Sequence, residues 1–388
     1  MDINAAIVGV GASEFGRFLP DSQLRLAAKA FKAALDDCGL AREDVDGLSI
    51  HLGWPLGLDY DRVAEGLGLN IRYVNQTWLH GRFVCSALQH AALAVSAGLA
   101  NVVACVTAPS FTREREMLGG PGDLEGTREE GGTHGESPPY GFTAPAGGSA
   151  LAMQRYMALY GVGPEKLAAV PISIRKHALL NPDAIMKKEL TLDDYMASRM
   201  IIDPLHLFDC CLVTDGAIVT LVTTMERARD LKQRPVRIAG MQGIRSSREE
   251  FQHAPPGLGI AQQTTTGVHS RPIDVEVYDS AGVARSDVKA LYTYDAFSPM
   301  VLFTLERFGF CGAGEAADFV HGGGIAPGGE LPVNTNGGLL SEAHIAGWNH
   351  IREMTRQLRG AAGPRQIPNA DVLQWGAVWG DSVILTRD

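Results

Sequence analysis

Residues 86–108, SALQHAALAVSAGLANVVACVTA, decide the fold class. The first part has small and apolar residues at helical spacing and ends near Gly98. The second part, from Asn101, is an unbroken run of β-branched and small apolar residues. Such a run is typical of a parallel strand that is buried on both faces. The stretch therefore predicts a helix packed on a buried sheet, which is the α/β class.

The same alternation of strand and helix recurs on both sides of this stretch. The chain opens with a short apolar strand and a helical pattern, and a similar strand, RPVRIAGMQGI, restarts at Arg234. Periodicity predicts a helix and a strand at 284–297, helices at 299–310 and 341–360, and a hairpin at 371–388. We predict two similar halves, residues 1–233 and 234–388, with a loop and helical insertion at about 108–205 in the first half.

One segment stands apart in composition. Residues 111–149 contain ten glycines and four prolines among many charged residues. A long segment of this kind in a compact domain is usually a functional loop. We predict a long loop that is either functional or partly disordered and not part of the core.

Composition and charge exclude several classes of function. The formal net charge of −10 argues against a nucleic-acid partner, because duplex binding needs a basic face. No window approaches the ~18 apolar residues of a membrane span, and the first residues lack a positive leader, so we expect a cytoplasmic protein. The six cysteines form no Cys-x-x-Cys pair, which predicts reduced, buried thiols and no metal site.

Two local motifs suggest ligand binding. Gly9, Gly11 and Gly16 invite a dinucleotide-binding interpretation, but Glu14 occupies the third glycine position of that motif and no acidic ribose ligand follows. We therefore reject it. The basic clusters 175–177 and 187–188 are candidate patches for an anionic cofactor, and a solvated surface is the alternative interpretation of each.

Several longer stretches carry a family resemblance. They include SRMIIDPLHLFDCCLVTDGA at 198–217, YDAFSPMVLFTLERFGFCGAGE at 294–315 and LPVNTNGGLLSEAHIAG at 331–347. The chain resembles the thiolase superfamily, in the branch of the sterol-carrier-protein thiolases and lipid-transfer-protein thiolase-like proteins. The resemblance implies a duplicated βαβαβαββ unit in a five-layered α/β/α/β/α sandwich. It also implies an acyl-coenzyme A substrate, a homodimer core and a small zinc-ribbon and OB-fold partner protein.

The resemblance raises the question of whether Cys85 is a nucleophile. In condensing thiolases the nucleophile precedes the glycine that ends the helix by about seventeen residues, and counting back from Gly98 reaches Gly81. Cys85 would then lie one helical turn, about 5.4 Å, further along, beyond the helix N-terminus that stabilises a thiolate. We interpret Gly81 as the vacated nucleophile position and Cys85 as a buried hydrophobe. The second family cysteine is also missing, since no cysteine follows Cys311.

Two other family positions suggest what chemistry remains. TYDAF matches the family pattern His-Asp-Cys-Phe, so Tyr294 replaces a histidine of the oxyanion hole, and SEAHIAG matches Gly-His-Pro and keeps its histidine as His344. The resemblance therefore implies that Tyr294 and His344 are catalytic. The structural alternatives are a core aromatic residue and a histidine at a helix start. Candidate supporting residues are Tyr292, Asn334 and Gly380.

Without a nucleophile no acyl-enzyme can form, so retro-aldol cleavage of a β-hydroxyacyl-coenzyme A is the predicted reaction. A tyrosine, with an ordinary pKa of about 10, is suited to exchange a proton with an alkoxide. His344 either donates to the enolate oxygen, with backbone N–H groups near Gly380, or relays a proton to the α-carbon.

The resemblance to bacterial steroid side-chain aldolases implies a specific substrate. It predicts cleavage of a 17-hydroxy steroid acyl-coenzyme A to a 17-ketosteroid and propionyl-coenzyme A or a similar short acyl-coenzyme A. Coenzyme A then comes with the substrate, and no covalently bound cofactor is expected. Two alternatives stay open: a true 3-oxoacyl-coenzyme A thiolase that uses Cys85, and a non-catalytic acyl-coenzyme A-binding subunit.

Overall fold

The computed structural model describes residues 3–53, 58–78, 81–112, 145–245 and 275–388. The strands in these ranges are β1 (Ala6–Ala12), β2 (Gly47–Gly53), β3 (Tyr73–Trp78), β4 (Val102–Thr107), β5 (Met200–Ile202), β6 (Leu205–His206), β7 (Ile218–Thr223), β8 (Val236–Gln242), β9 (Ala290–Tyr292), β10 (Val372–Gly376) and β11 (Ser382–Arg387). The α-helices are α1 (Gln23–Cys38), α2 (Tyr60–Leu67), α3 (Val84–Ser96), α4 (Pro145–Tyr160), α5 (Pro164–Leu179), α6 (Leu192–Ala197), α7 (Met225–Arg229), α8 (Glu276–Ala281), α9 (Ser298–Arg307), α10 (Ala316–His321) and α11 (Trp348–Leu358).

The stretch 86–108 folds as predicted. It forms α3 and β4, and every residue of β4 is buried, as is every residue of its antiparallel neighbour β7. Helix α1 shows how local signals set the element bounds. The side chain of Ser22 accepts a hydrogen bond from the backbone N–H of Arg25 at its start, and Gly39 ends it with φ +78°.

Nine of the strands in the described residues form one sheet in the order β3-β2-β4-β7-β1-β8-β11-β10-β9, and β5 pairs with β6 in a separate two-stranded sheet. The nine-stranded sheet has two parts, β3-β2-β4-β7-β1 and β8-β11-β10-β9. They are joined where β1 pairs with β8 through Ala6–Arg237 and Ile7–Val236. Successive residues of β1 belong to different hydrophobic clusters, because Ile7 packs with α3 whereas Val8 packs with α1. Opposite faces of this part of the sheet are therefore both covered by helices.

Helix contacts complete the layers. α3 contacts β2, β3, β4 and β7, whereas α11 contacts β1 and β7 on one side and β10 and β11 on the other. α1 packs on β1 and β7, and α8 packs on β8 and β11. α11 therefore lies between the two parts of the sheet, and the order helix, first part of the sheet, helix, second part of the sheet, helix confirms the predicted α/β sandwich with five layers. The predicted boundary between residues 233 and 234 stays a prediction.

Some predicted elements are wrong in extent or type. The predicted loop 111–149 falls mostly outside the described residues, and α4 already begins at Pro145. The predicted helix before β9 is a single 3-10 turn at Arg285–Asp287. The predicted helix 341–360 begins only at Trp348 and follows a π-helical turn at Gly338–Glu342. The closing hairpin, β10 with β11, is as predicted.

Four of the cysteines are buried as predicted, whereas Cys210 and Cys211 are only partly buried. All six lie in the described ranges and are free thiols. Within the described residues, every helix is too short or too polar to cross a bilayer.

Candidate active site

The two residues predicted to be catalytic lie side by side. The hydroxyl of Tyr294 is 3.1 Å from Nε2 of His344, although the residues are 50 positions apart in the chain. Tyr294 follows β9 and is 6% exposed, and His344 precedes α11 and is partly buried. The structure therefore brings together a phenol and an imidazole, a pair able to hold and transfer a proton.

The backbone at Tyr294 is held by Asn334. The side-chain oxygen of Asn334 accepts the N–H of Thr293 at 2.9 Å, and its amide nitrogen donates to the carbonyl of the same residue at 3.0 Å. Asn334 is fully buried and has φ +50°, a left-handed conformation that asparagine tolerates better than most residues. The sequence predicts that Asn334 supports the site, and the two hydrogen bonds with Thr293 are one way in which it could hold the backbone next to Tyr294.

His344 is held at its backbone and its ring. Its N–H donates to Oγ1 of Thr214 at 2.9 Å, and the same hydroxyl donates to its carbonyl at 3.3 Å. The ring of Phe111 stacks on the imidazole with centroids 4.7 Å apart and planes inclined by 23°. Nδ1 lies 3.5 Å from Sγ of Cys211. The imidazole therefore has little room to rotate.

A buried polar network joins the two segments that carry Tyr294 and His344. Asp295, next to Tyr294, accepts the N–H of Leu339 at 2.9 Å and lies 3.2 Å from Nε2 of His350. Nδ1 of His350 lies 3.1 Å from Oδ1 of Asn336, whose amide donates in turn to Glu342. Burial raises the pKa of the Glu342 carboxyl. Glu342 lies two positions before His344, so the network ties the backbone on both sides of the pair.

Gly81 lies directly against the ring of Tyr294. It opens the 3-10 turn Gly81–Phe83 that leads into α3, and it is buried. A Cβ atom at Gly81 would overlap Cδ2 and Cε2 of the Tyr294 ring. The tyrosine ring therefore occupies the space beside the position where the resemblance places a nucleophilic side chain. Glycine is required here because any side chain would displace the ring.

Cys85 points into the core. The α-helix begins at Val84, so Cys85 lies in its first turn and not one turn deeper as predicted. It is fully buried, and Nε2 of Gln89 donates to Sγ at 3.2 Å. Burial raises the pKa of the Cys85 thiol well above its ordinary value. The thiol therefore stays protonated because it is desolvated, not because of its depth along the helix.

The Cys85→Ala variant tests this placement. We expect turnover of a β-hydroxyacyl-coenzyme A substrate within about twofold of wild type, with a loss of about 1 kcal/mol of stability from the lost contacts. Steady-state kinetics and urea unfolding measure the two quantities. Loss of turnover in a folded Cys85→Ala protein would show that the thiol takes part in the reaction.

Two predicted supporting residues have other partners. The hydroxyl of Tyr292 lies 2.7 Å from Oγ1 of Thr335 in the core, and burial raises its pKa well above the ordinary value. The N–H of Gly380 donates to the carbonyl of Ala377 at 2.9 Å within a turn. That N–H is therefore already used, which argues against Gly380 itself as a donor to the enolate oxygen.

For Arg175 and His177 both interpretations of 175–177, a basic patch for an anionic cofactor and a solvated surface, are wrong. Arg175 is buried, with Nε donating to Oγ of Ser341 at 2.8 Å. His177 is also buried, beside the carbonyl of Ile325 at 2.9 Å. Nζ of Lys187 donates to the carbonyls of Asn181 and Pro182. Helical spacing alone did not reveal that this face of α5 packs inward.

Burial lowers the pKa of His344 from 6.5 to about 4, with a smaller opposing effect from Asp295. The folded protein keeps this ring neutral while the unfolded chain protonates near pH 6.5. Between these values the unfolded state binds more protons, so stability falls as the pH is lowered. The imidazole is therefore a neutral proton acceptor or donor at neutral pH.

The His344→Gln variant tests this titration. Lowering the pH from 7 to 5 should reduce the wild-type free energy of unfolding by about 2 kcal/mol through His344. The variant should lose that part of the pH dependence in urea unfolding. His321→Gln is the control, because His321 is exposed on α10. An identical pH dependence in wild type and His344→Gln would contradict the low pKa.

Some neighbours of the pair are not predicted from the sequence. They are Phe111, Cys211, Thr214 and Trp379, whose ring lies 5.7 Å from that of Tyr294. Cys211 and Thr214 do lie in a stretch that carries the family resemblance, which was the available signal. Among the described residues no group of three or more His, Cys, Asp or Glu side chains is arranged to hold a metal ion.

Comparison with known proteins places this chain in a family. Residues 269–385 match the thiolase C-terminal domain-like family. The 17-hydroxy-3-oxo-4-pregnene-20-carboxyl-CoA lyase of Mycobacterium tuberculosis is 39% identical over 369 residues, which are 92% of each protein. The steroid side-chain-cleaving aldolase of Thermomonospora curvata is 35% identical over 399 aligned positions, covering 99% of this chain and 98% of that protein.

A solved structure agrees with these relatives. The Ltp2-ChsH2(DUF35) aldolase superposes with a TM-score of 0.86 and 34% identity, covering 100% of this chain and 98% of that chain. The alignments with these proteins therefore include both halves of the chain. The chain belongs to the thiolase superfamily, in the sterol-carrier-protein-like branch that includes the steroid side-chain-cleaving aldolases.

Proposed function

We propose that this protein cleaves a β-hydroxyacyl-coenzyme A by a retro-aldol reaction, with Tyr294 and His344 as its catalytic pair. The observation that carries the proposal is the contact between Gly81 and the Tyr294 ring, because the phenol fills the space beside the vacated nucleophile position. The 3.1 Å contact with His344 gives this phenol a proton acceptor. The relatives named as a lyase and as aldolases support the same reaction class.

The reaction balances without a covalent intermediate. A base accepts the proton of the β-hydroxyl group, and the oxygen becomes a carbonyl as the Cα–Cβ bond breaks. The bonding electrons form the thioester enolate, which takes up a proton at its α-carbon. Tyr294 exchanges the hydroxyl proton, and His344 holds it or passes it on. The net change moves one proton from oxygen to carbon.

The substrate is inferred from the relatives described above. We propose a 17-hydroxy steroid acyl-coenzyme A, which gives a 17-ketosteroid and propionyl-coenzyme A or a similar short acyl-coenzyme A. The lyase that is 39% identical is named for such a thioester. Coenzyme A is then part of the substrate.

We also propose a complex. The resemblance implies a zinc-ribbon and OB-fold partner, and the similar solved aldolase contains a DUF35 component. A homodimer core is supported by β3, the last strand at one edge of the sheet in the described part of the chain. Val74 on this strand is 41% exposed, and an unprotected edge strand favours pairing with another chain. A cytoplasmic location is consistent with these proposals.

Product analysis tests the function. The protein, with and without a co-expressed DUF35 partner, is incubated with the 17-hydroxy steroid acyl-coenzyme A in the absence of free coenzyme A. Mass spectrometry should detect the 17-ketosteroid and the short acyl-coenzyme A. Cleavage of a 3-oxoacyl-coenzyme A only with added coenzyme A, lost in Cys85→Ala, would identify a thiolase instead. Binding without either reaction would identify a non-catalytic subunit.

A further inference from the structure

We infer that His51 is a positioning residue for His344, because it binds both the segment that carries His344 and the segment whose aromatic ring stacks on it. Nδ1 of His51 accepts the indole N–H of Trp348 at 2.7 Å. The backbone carbonyl of His51 accepts the hydroxyl of Thr107 at 3.0 Å. The effect on turnover rests on the proposed function, whereas the two hydrogen bonds are properties of the folded chain without substrate.

The first hydrogen bond joins β2 to the start of α11. His51 lies on β2, and Trp348 is the first residue of α11, 297 positions further along the chain. Both side chains are fully buried. An indole N–H can only donate, so Nδ1 of His51 is the acceptor and the direction of this hydrogen bond is decided. A histidine that accepts at Nδ1 is neutral and carries its proton on Nε2.

Trp348 closes the turn that follows His344. Its backbone N–H donates to the carbonyl of Ile345 at 3.0 Å. Within this turn Ala346 has φ +50° and Gly347 has φ +93°. The left-handed conformation costs free energy at an alanine, so it persists only where the surroundings hold the backbone. The hydrogen bond to β2 anchors the end of this turn, four residues after His344.

The second hydrogen bond fixes the end of β4. Thr107 is the last residue of β4 and is fully buried. Four residues later, Phe111 stacks on the imidazole of His344 with centroids 4.7 Å apart. His51 therefore binds two segments that meet at the same ring, one through its side chain and one through its backbone. Hydrogen bonds of this kind hold a reactive group in its productive geometry.

Loss of the acceptor at His51 should displace His344. The indole N–H of Trp348 would be left unsatisfied in a buried site, and the start of α11 would move to find it another partner. The imidazole would then no longer keep its 3.1 Å contact with the hydroxyl of Tyr294. A displaced catalytic group lowers kcat more than it weakens substrate binding.

Steady-state kinetics test this role. His51→Leu should lower kcat about tenfold with KM within about twofold of wild type. His51→Asn should restore most of kcat, because its side-chain carbonyl takes the place of Nδ1 as the acceptor. Trp348→Phe removes the donor and should match His51→Leu, which keeps the test available if His51→Leu does not fold. A kcat loss that His51→Asn does not repair, or an unchanged kcat in Trp348→Phe, would overturn the inference.

His177→Leu is the matched control. His177 is also buried, and its ring bonds to the carbonyl of Ile325 at 2.9 Å, away from the pair. The loss of stability in urea unfolding should be similar in His177→Leu and His51→Leu, but kcat should stay within about twofold of wild type in His177→Leu. Equal losses of kcat in the two variants would mean that His51 acts only through stability.

NMR of the full chain, labelled with ¹⁵N at tryptophan and histidine, tests the geometry without substrate. Trp348→Phe and His344→Gln identify the two sets of signals by their loss. We expect the indole signal of Trp348 and the ring signals of His344 to shift in His51→Leu and to stay in place in His177→Leu. Unshifted His344 signals in His51→Leu would overturn the positioning role. Because no turnover is needed, this result stands apart from the outcome of the cleavage assay.

Discussion

Gly81→Ala should lower kcat by roughly 100-fold or more while the protein remains folded. The added methyl group would overlap Cδ2 and Cε2 of the Tyr294 ring, so the ring must move away from Gly81. A displaced ring no longer keeps its hydroxyl 3.1 Å from Nε2 of His344. Overpacking of this kind typically costs about 1–3 kcal/mol of stability. Steady-state kinetics and urea unfolding separate the catalytic effect from the structural one.

The control for this variant is Gly243→Ala. Among the described atoms nothing lies within 4 Å of a Cβ at Gly243, so its kinetics should match wild type. A double variant sharpens the test. Gly81→Ala combined with Tyr294→Phe should cost little more than Tyr294→Phe alone, because both changes remove the same hydroxyl from its place. Fully additive losses would mean that Gly81 affects the reaction by another route.

Tyr294→Phe should lower kcat by about 10² to 10⁴-fold with little change in KM, the range expected for loss of a general acid–base group. The phenyl ring keeps its packing beside Gly81 and Trp379, so only the hydroxyl is lost. Kinetics with the steroid acyl-coenzyme A substrate measure the effect. His344→Ala should cause a comparable loss, and the two losses should not add because the residues act as a pair.

Tyr292→Phe is the matched control for Tyr294→Phe. The Tyr292 hydroxyl is bound to Thr335 at 2.7 Å, so its removal should cost about 1 kcal/mol of stability and leave kcat near wild type. If Tyr292→Phe inactivated the protein while Tyr294→Phe did not, the assignment of the catalytic tyrosine would be wrong.

The fold was predictable because its signals are local or repeated. The buried runs of β4 and β7 and the capped helix α1 are visible in any short window. The stretches that resemble the thiolase superfamily then predict how the helices and the sheet are layered. The ends of the elements were less predictable. Periodicity predicts that the helix of residues 341–360 begins at 341, but a π-helical turn occupies Gly338–Glu342 and the α-helix begins only at Trp348. Here Asp295 binds the N–H of Leu339, and this tertiary contact is not visible in the local pattern.

The site was predictable only in part. The family motifs point to Tyr294 and His344, and the spacing from Gly98 points to Gly81. The contacts of Tyr294 with His344 and Gly81 are visible only in the folded chain. Alternation along a strand predicts that Tyr292 and Tyr294 share a face. The strand instead ends at Tyr292, because the side chain of Asn334 binds both the N–H and the carbonyl of Thr293. The hydroxyl of Tyr292 therefore contacts Thr335, whereas that of Tyr294 contacts His344. Periodicity within a strand does not predict contacts between residues that are far apart in the sequence.

We propose a retro-aldol cleavage in which the Cα–Cβ bond breaks to an enolate without an acyl-enzyme. Its most direct test is the cleavage of the 17-hydroxy steroid acyl-coenzyme A in D₂O, without free coenzyme A and with the DUF35 partner present. We expect a 17-ketosteroid together with a short acyl-coenzyme A that carries one solvent deuterium at its α-carbon. Both products should vanish in Tyr294→Phe and persist in Cys85→Ala. A covalent acyl group on the protein, or a requirement for added coenzyme A, would contradict it.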